Sequence, residues 1–137
     1  MGDCNRMVEV ETLLEADPDE VWEALTDEEL LAQWLADDAE LDPVEGGAAV
    51  FRYEDGEERR GTVLRVEEER SLTFAWARPD EPETYVELRL EPAIGGTRLV
   101  VLETAPPFGP VALAFSSAAW AARLRALRRA TSLVPTC

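Results

Sequence analysis

The chain has 137 residues, 46% of them apolar, enough for one domain with its own core and too apolar for a disordered segment. Against 29 acidic residues it carries 13 arginines and no lysine, and the net charge of −16 argues against nucleic acid and anionic membranes as partners. Histidine is absent, which removes Ser-His-Asp and Cys-His catalysis, imidazole bases and His-ligated zinc.

Cys4 and Cys137 lack metal or redox spacing and read as free thiols, so neither a metal nor another cofactor is expected. No apolar run approaches the ~18 residues that span a bilayer. Met1 to Glu11 has no run like that of a signal peptide, and a cytoplasmic setting is expected. The acidity fits solubility and genomic composition, and would also suit a high-salt cytoplasm. Residues 1–6 read as a disordered arm, 7–131 as a single domain and 132–137 as a tail.

Taken in chain order, Met7 to Glu15 alternates as a strand does. Asp17-Pro18-Asp19-Glu20 then combines an N-cap, a first-turn proline and a capping-box acid. The short helix that follows places Val21, Trp22 and Leu25 on one side and ends near Thr26. Thr26 with Glu29 repeats the capping signal and predicts a second helix through Leu30, Leu31 and Trp34. Two short helices of this kind need a sheet to pack on.

From Ala39 onward the pattern is strand and turn. Gly46-Gly47 and Asp55-Gly56 mark turns. Strands are predicted at Ala48 to Glu54, Arg59 to Glu67, Leu72 to Ala77, Thr84 to Glu91 and Thr97 to Glu103, with Pro79 to Pro82 and Pro92 to Gly96 as separators. The short connections predict an antiparallel meander. Alternation puts Phe51 and Tyr53, then Leu72, Phe74 and Trp76, then Val86, Leu88 and Leu90, then Leu99 and Val101 on the inner face.

After Pro106, Pro107 and Pro110, residues Val111 to Thr131 read as one long helix. Leu113, Ser117, Trp120, Leu124 and Leu127 form its apolar stripe, flanked by Arg123, Arg125, Arg128 and Arg129. Phe115 lies off that stripe. The order of elements predicts an α+β fold in which an antiparallel sheet of six or seven strands curves around a long C-terminal helix.

At this point the sequence resembles a known family. "VEVETLLEADPDEVWEALTDEELLAQWL" is similar to the opening of the helix-grip SRPBCC domains of the START/Bet v 1-like superfamily. "GTVLRVEEERSLTFAW" resembles their Gly-x-Val…Leu-x-Phe-x-Trp segment, "GGTRLVVLETA" the last strand and "SSAAWAARLRALRRA" the closing helix. The nearest branch is that of bacterial homologues of the heat-shock protein 90 ATPase activator. Three positions depart from the family pattern. Ala119 precedes Trp120 where Gly is usual, Ser71 replaces an Arg, and Glu103 stands where the last strand often has His.

The resemblance implies a cavity between sheet and closing helix that takes a hydrophobic small molecule without catalysis. The wall expected from these patterns comprises Trp34, Phe51, Tyr53, Phe74, Trp76, Val101, Leu113, Ser117 and Trp120, with Glu103 as its polar group. Each aromatic also has an ordinary reading as core. Glu103 shares a face with Leu99 and Val101, so it needs a partner, a proton or the cavity mouth. Two other functions compete. One is an enzyme of the polyketide cyclase, aromatase or dehydratase type, with Glu103, Tyr53, Tyr85 or an Arg as acid or base. The other is a protein-interaction module, with a partner protein or a second copy of the chain. Ser116 and Ser117 lack a base, and the paired glycines are turns rather than a phosphate loop.

Overall fold

Residues 7–105 and 116–131 are described by the computed structural model, with the backbone alone at 116, 117, 130 and 131. Within them lie seven strands: β1 (Met7–Leu14), β2 (Asp38–Leu41), β3 (Ala48–Arg52), β4 (Glu58–Glu67), β5 (Ser71–Ala77), β6 (Thr84–Ala93) and β7 (Gly96–Thr104). The helices are α1 (Pro18–Thr26), α2 (Glu28–Trp34) and α3 (Ser116–Thr131). The arm at 1–6, the tail at 132–137 and the expected helical start at 111–115, with Leu113 and Phe115, lie outside the described residues.

The strands form one antiparallel sheet in the order β1-β7-β6-β5-β4-β3-β2. β3 to β7 are the predicted meander, β2 adds an edge strand that was not predicted, and β1 joins the far edge by pairing with β7, Val10 opposite Val101. The two short helices carry the chain from one edge to the other. This is the helix-grip α+β architecture expected from the sequence.

Local chemistry explains the element ends. The side chain of Glu20 accepts from the backbone N–H of Asp17, which closes the start of α1. The cap of α2 differs from expectation. Asp27, not Thr26, is the N-cap, accepting from Glu29 N at 2.8 Å and Leu30 N at 3.2 Å. Thr26 is still helical, and its hydroxyl donates back to Trp22 O. β6 also runs through the expected separator, with Pro92 opposite Thr97. β5 pairs only as far as Arg89, and Leu90 N reaches Arg70 O, so the absent N–H of Pro92 faces a side without a ladder partner. β2 is four residues long, too short for its alternation to stand out.

The inner face holds the predicted residues. Phe51, Leu72, Phe74, Trp76, Val86, Leu88, Leu99 and Val101 are buried, as are Trp120, Leu124 and Leu127 on α3. Full burial of each such side chain contributes about 1.5–3 kcal/mol. Gly61 lies between Arg59 and Val63 on that face, opposite Trp76 on β5. A Cβ there would stand 1.6 Å from Ala75 O, so β4 and β5 approach closely only because position 61 has no side chain.

Candidate functional site

The polar end of the concave face is built by three strands and a helix. β5 supplies Trp76, β6 places Thr84 directly opposite it, and β7 brings Glu103 opposite Val86. α3 adds Trp120. Glu103 is 2% exposed. Its Oε2 accepts from Trp76 Nε1 at 3.0 Å and from Thr84 Oγ1 at 2.6 Å, and its Oε1 accepts from Trp120 Nε1 at 2.8 Å. Indole N–H groups can only donate, so both oxygens act as acceptors. Without such donors a buried carboxylate would cost several kcal/mol.

The rings around it form one aromatic cluster. Phe51, Phe74 and Trp76 meet pairwise with centroids 5.4–5.6 Å apart, and Trp120 stacks on Trp76 at 5.8 Å and 26°. Two guanidiniums lie over these indoles. Arg59 is 4.5 Å from the Trp76 centroid, and Arg123 is 5.5 Å from Trp76 and 4.8 Å from Trp120. Arg59 also pairs with Glu57, which binds Arg78 as well.

Three hollows open near these groups. A cleft of about 40 Å3 reaches Glu103 and Thr84 beside Arg59 and Pro82, room for a few waters. A groove of about 290 Å3 runs between the end of α2 and α3, lined by Trp34, Leu35, Asp37, Tyr53, Ala122 and Arg123 among others. A third, about 450 Å3, lies away from the aromatic cluster, where Leu13, Leu14 and Glu15 face Arg125, Arg128 and Arg129.

Within the groove, the Tyr53 hydroxyl donates to Leu35 O at 3.0 Å. Burial pushes the Tyr53 pKa up, and burial pushes that of Arg123 down. Trp34 Nε1 donates to Ala24 O at 2.9 Å, which ties its ring to α1. No cluster of His, Cys, Asp and Glu among the described residues could hold a metal ion.

The expected wall is thus divided. Phe51, Phe74, Trp76, Val101, Glu103 and Trp120 meet in the packed cluster under α3. Tyr53 lines the neighbouring groove instead, and Trp34, buried in the core, borders that groove too. Leu113 lies outside the described residues, as does the side chain of Ser117. Thr84, Arg59 and the inward role of Arg123 were missed from the sequence. Alternation marks the first two, since Thr84 is in phase with Val86 and Leu88, and Arg59 with Gly61 and Val63. Arg123 reads from sequence only as a flank of the helix stripe.

The model of a family described as Activator of Hsp90 ATPase homolog 1-like protein matches residues 15–131. No curated protein matches the chain. Among solved structures, DynU16, from the dynemicin biosynthetic locus, is 29% identical with a TM-score of 0.82, over 90% of this chain and 46% of that one. This chain therefore spans about half of that protein. CalU16 from Micromonospora echinospora is 28% identical with a TM-score of 0.75, over 92% of this chain and 76% of that one. The Aha1 dimer from Colwellia psychrerythraea, at 20% identity and a TM-score of 0.80 over 93% and 96% of the two chains, shares the fold. Among the described residues no helix is long and apolar enough to cross a membrane.

Proposed function

The chain belongs to the Activator of Hsp90 ATPase homolog 1-like family, and from that premise we propose that it binds a planar small molecule with a hydrophobic ring system in the groove between α2 and α3, without catalysis. The observation that carries this reading is the groove of about 290 Å3 beside a fixed aromatic floor, Trp76 stacked on Trp120 and both tied to Glu103. A ligand in the groove meets Trp34 and Tyr53 and reaches Arg123 over that floor. The lining mixes Trp34, Leu35 and Ala122 with Gln33, Asp37 and Arg123, so a ligand there meets placed polar groups as well as apolar surface. The likeness to a protein of a biosynthetic locus supports a small-molecule ligand. The expected setting remains the cytoplasm.

Catalysis by Glu103, as in a cyclase or dehydratase, fits less well. A carboxylate has about four acceptor positions, and three are occupied here. Two of the donors are indoles, which pass no proton on. The cleft at Glu103, about 40 Å3, has room for a few waters and not for a ring system. A partner protein or a second copy of the chain is the remaining alternative, and no feature of the groove favours either.

The test is a titration of planar aromatic molecules against the protein, read by tryptophan fluorescence, together with native mass spectrometry of what co-purifies. Saturable one-to-one quenching is expected, because Trp34 lines the groove and Trp120 lies under Arg123. A panel in which nothing binds, with no small molecule retained on purification, overturns the proposal.

A further inference from the structure

Arg123 holds a charge partly out of water without a direct ion pair, and Glu103 and Glu57 act on it only from beyond contact distance. Elsewhere this acidic chain supplies partners freely: Arg52 holds Asp38 and Glu40, Arg59 and Arg78 share Glu57, and Arg98 holds Glu11. Among the described residues no ion pair reaches Arg123. The acid nearest in function, Glu103, has its oxygens engaged by Trp76, Thr84 and Trp120. Instead the guanidinium lies over two indole rings. Stacking uses the flat faces of a guanidinium and leaves the N–H edge, part of which is turned to the Tyr53 hydroxyl, for oxygen acceptors. The same residue lines the α2–α3 groove with Trp34 and Tyr53.

We propose that the ligand of this groove is an aromatic acid, a planar ring system carrying an anionic oxygen group that seats on Arg123. The inference rests on the ligand-binding reading and narrows it to a chemical class. An anion there gives the guanidinium a direct partner, working against the Asp37 carboxylate on the same lining, and the ring system meets Trp34, Leu35 and Ala122 beside it. A neutral ring system of the same size gains the walls alone.

Two probes with a shared ring skeleton separate these contributions: anilinonaphthalene sulfonate, an anion, and phenylnaphthylamine, its neutral counterpart. The wild-type protein should bind the sulfonate about tenfold to a hundredfold more tightly, the range of one charge-assisted hydrogen bond. That preference should shrink with added salt. Arg123→Met keeps length and apolar bulk, and should erase the preference by bringing the two affinities together. Replacing Arg125 and Arg129 by Gln, in the separate hollow near Leu13, should leave the preference intact. Equal wild-type affinity for the two probes overturns the inference and leaves the ligand-binding reading standing. So does a preference that survives Arg123→Met or disappears with the Arg125 and Arg129 substitutions. If neither probe binds, both readings fall. The wild-type comparison and its salt dependence do not require any variant to fold.

Discussion

Trp120 and Glu103 lie 17 residues apart in the chain, and the indole Nε1 of the first donates to Oε1 of the second at 2.8 Å. Through that bond the closing helix is keyed to the last strand. Trp76 and Thr84 fix the other oxygen from the neighbouring strands, so one carboxylate ties three strands and a helix together.

Glu103→Gln preserves shape but turns one acceptor oxygen into a donor NH2. At least one of Trp76, Thr84 and Trp120 then faces a donor. The expected loss is about 1–3 kcal/mol, the cost of an unsatisfied buried polar group. Urea denaturation checks it, and a stability within about 0.5 kcal/mol of wild type would show that the carboxylate is not what holds these donors.

Trp120→Phe and Trp120→Ala separate hydrogen bond from volume. The alanine variant should lose about 3–5 kcal/mol, because it empties a fully buried site. The phenylalanine variant keeps much of the ring stacking on Trp76 and loses the N–H, so a smaller loss of about 1–3 kcal/mol is expected. Equal losses in the two would assign the whole effect to the bond with Glu103.

Tyr53 supplies the pH dependence. Burial raises its pKa above the usual value near 10. A raised folded-state pKa means that its contribution is complete below about pH 10 and is lost as pH climbs through the folded value. Deprotonation also removes the hydroxyl that donates to Leu35 O. Thermal melting of wild type should therefore fall more steeply above about pH 10 than that of Tyr53→Phe. Tyr85, exposed on β6, is common to both proteins. Parallel melting curves across that range would remove Tyr53 from the account.

Gly61→Ala tests the close approach of β4 and β5. With Ala75 O 1.6 Å from the new Cβ, the strands must separate, at an expected cost of about 1–3 kcal/mol or more. Hydrogen exchange should show the loss first in the β4–β5 ladder. A neutral substitution would mean that the ladder yields without penalty.

Composition and periodicity by themselves determined a good deal. The absence of histidine and lysine removed whole classes of chemistry. Period-two alternation put Phe51, Phe74, Trp76 and Val101 on one face, and the 3.6-residue period put Trp120, Leu124 and Leu127 on one stripe, because side-chain direction is set locally by the backbone. Glu103 stood out for the same reason, as an acid in phase with Leu99 and Val101. What it bonds to was decided only in three dimensions. Its donors come from β5, β6 and α3, up to 27 residues away, and no local rule says which polar groups will converge. The division of the expected wall is likewise tertiary. Trp34 and Tyr53 border the α2–α3 groove because α2 packs on the edge strand β2 and on α3, a placement set by packing between distant segments. The same packing carried Arg123 from the flank of a helix stripe to a position over two indoles and beside the groove, which its place in the chain does not show.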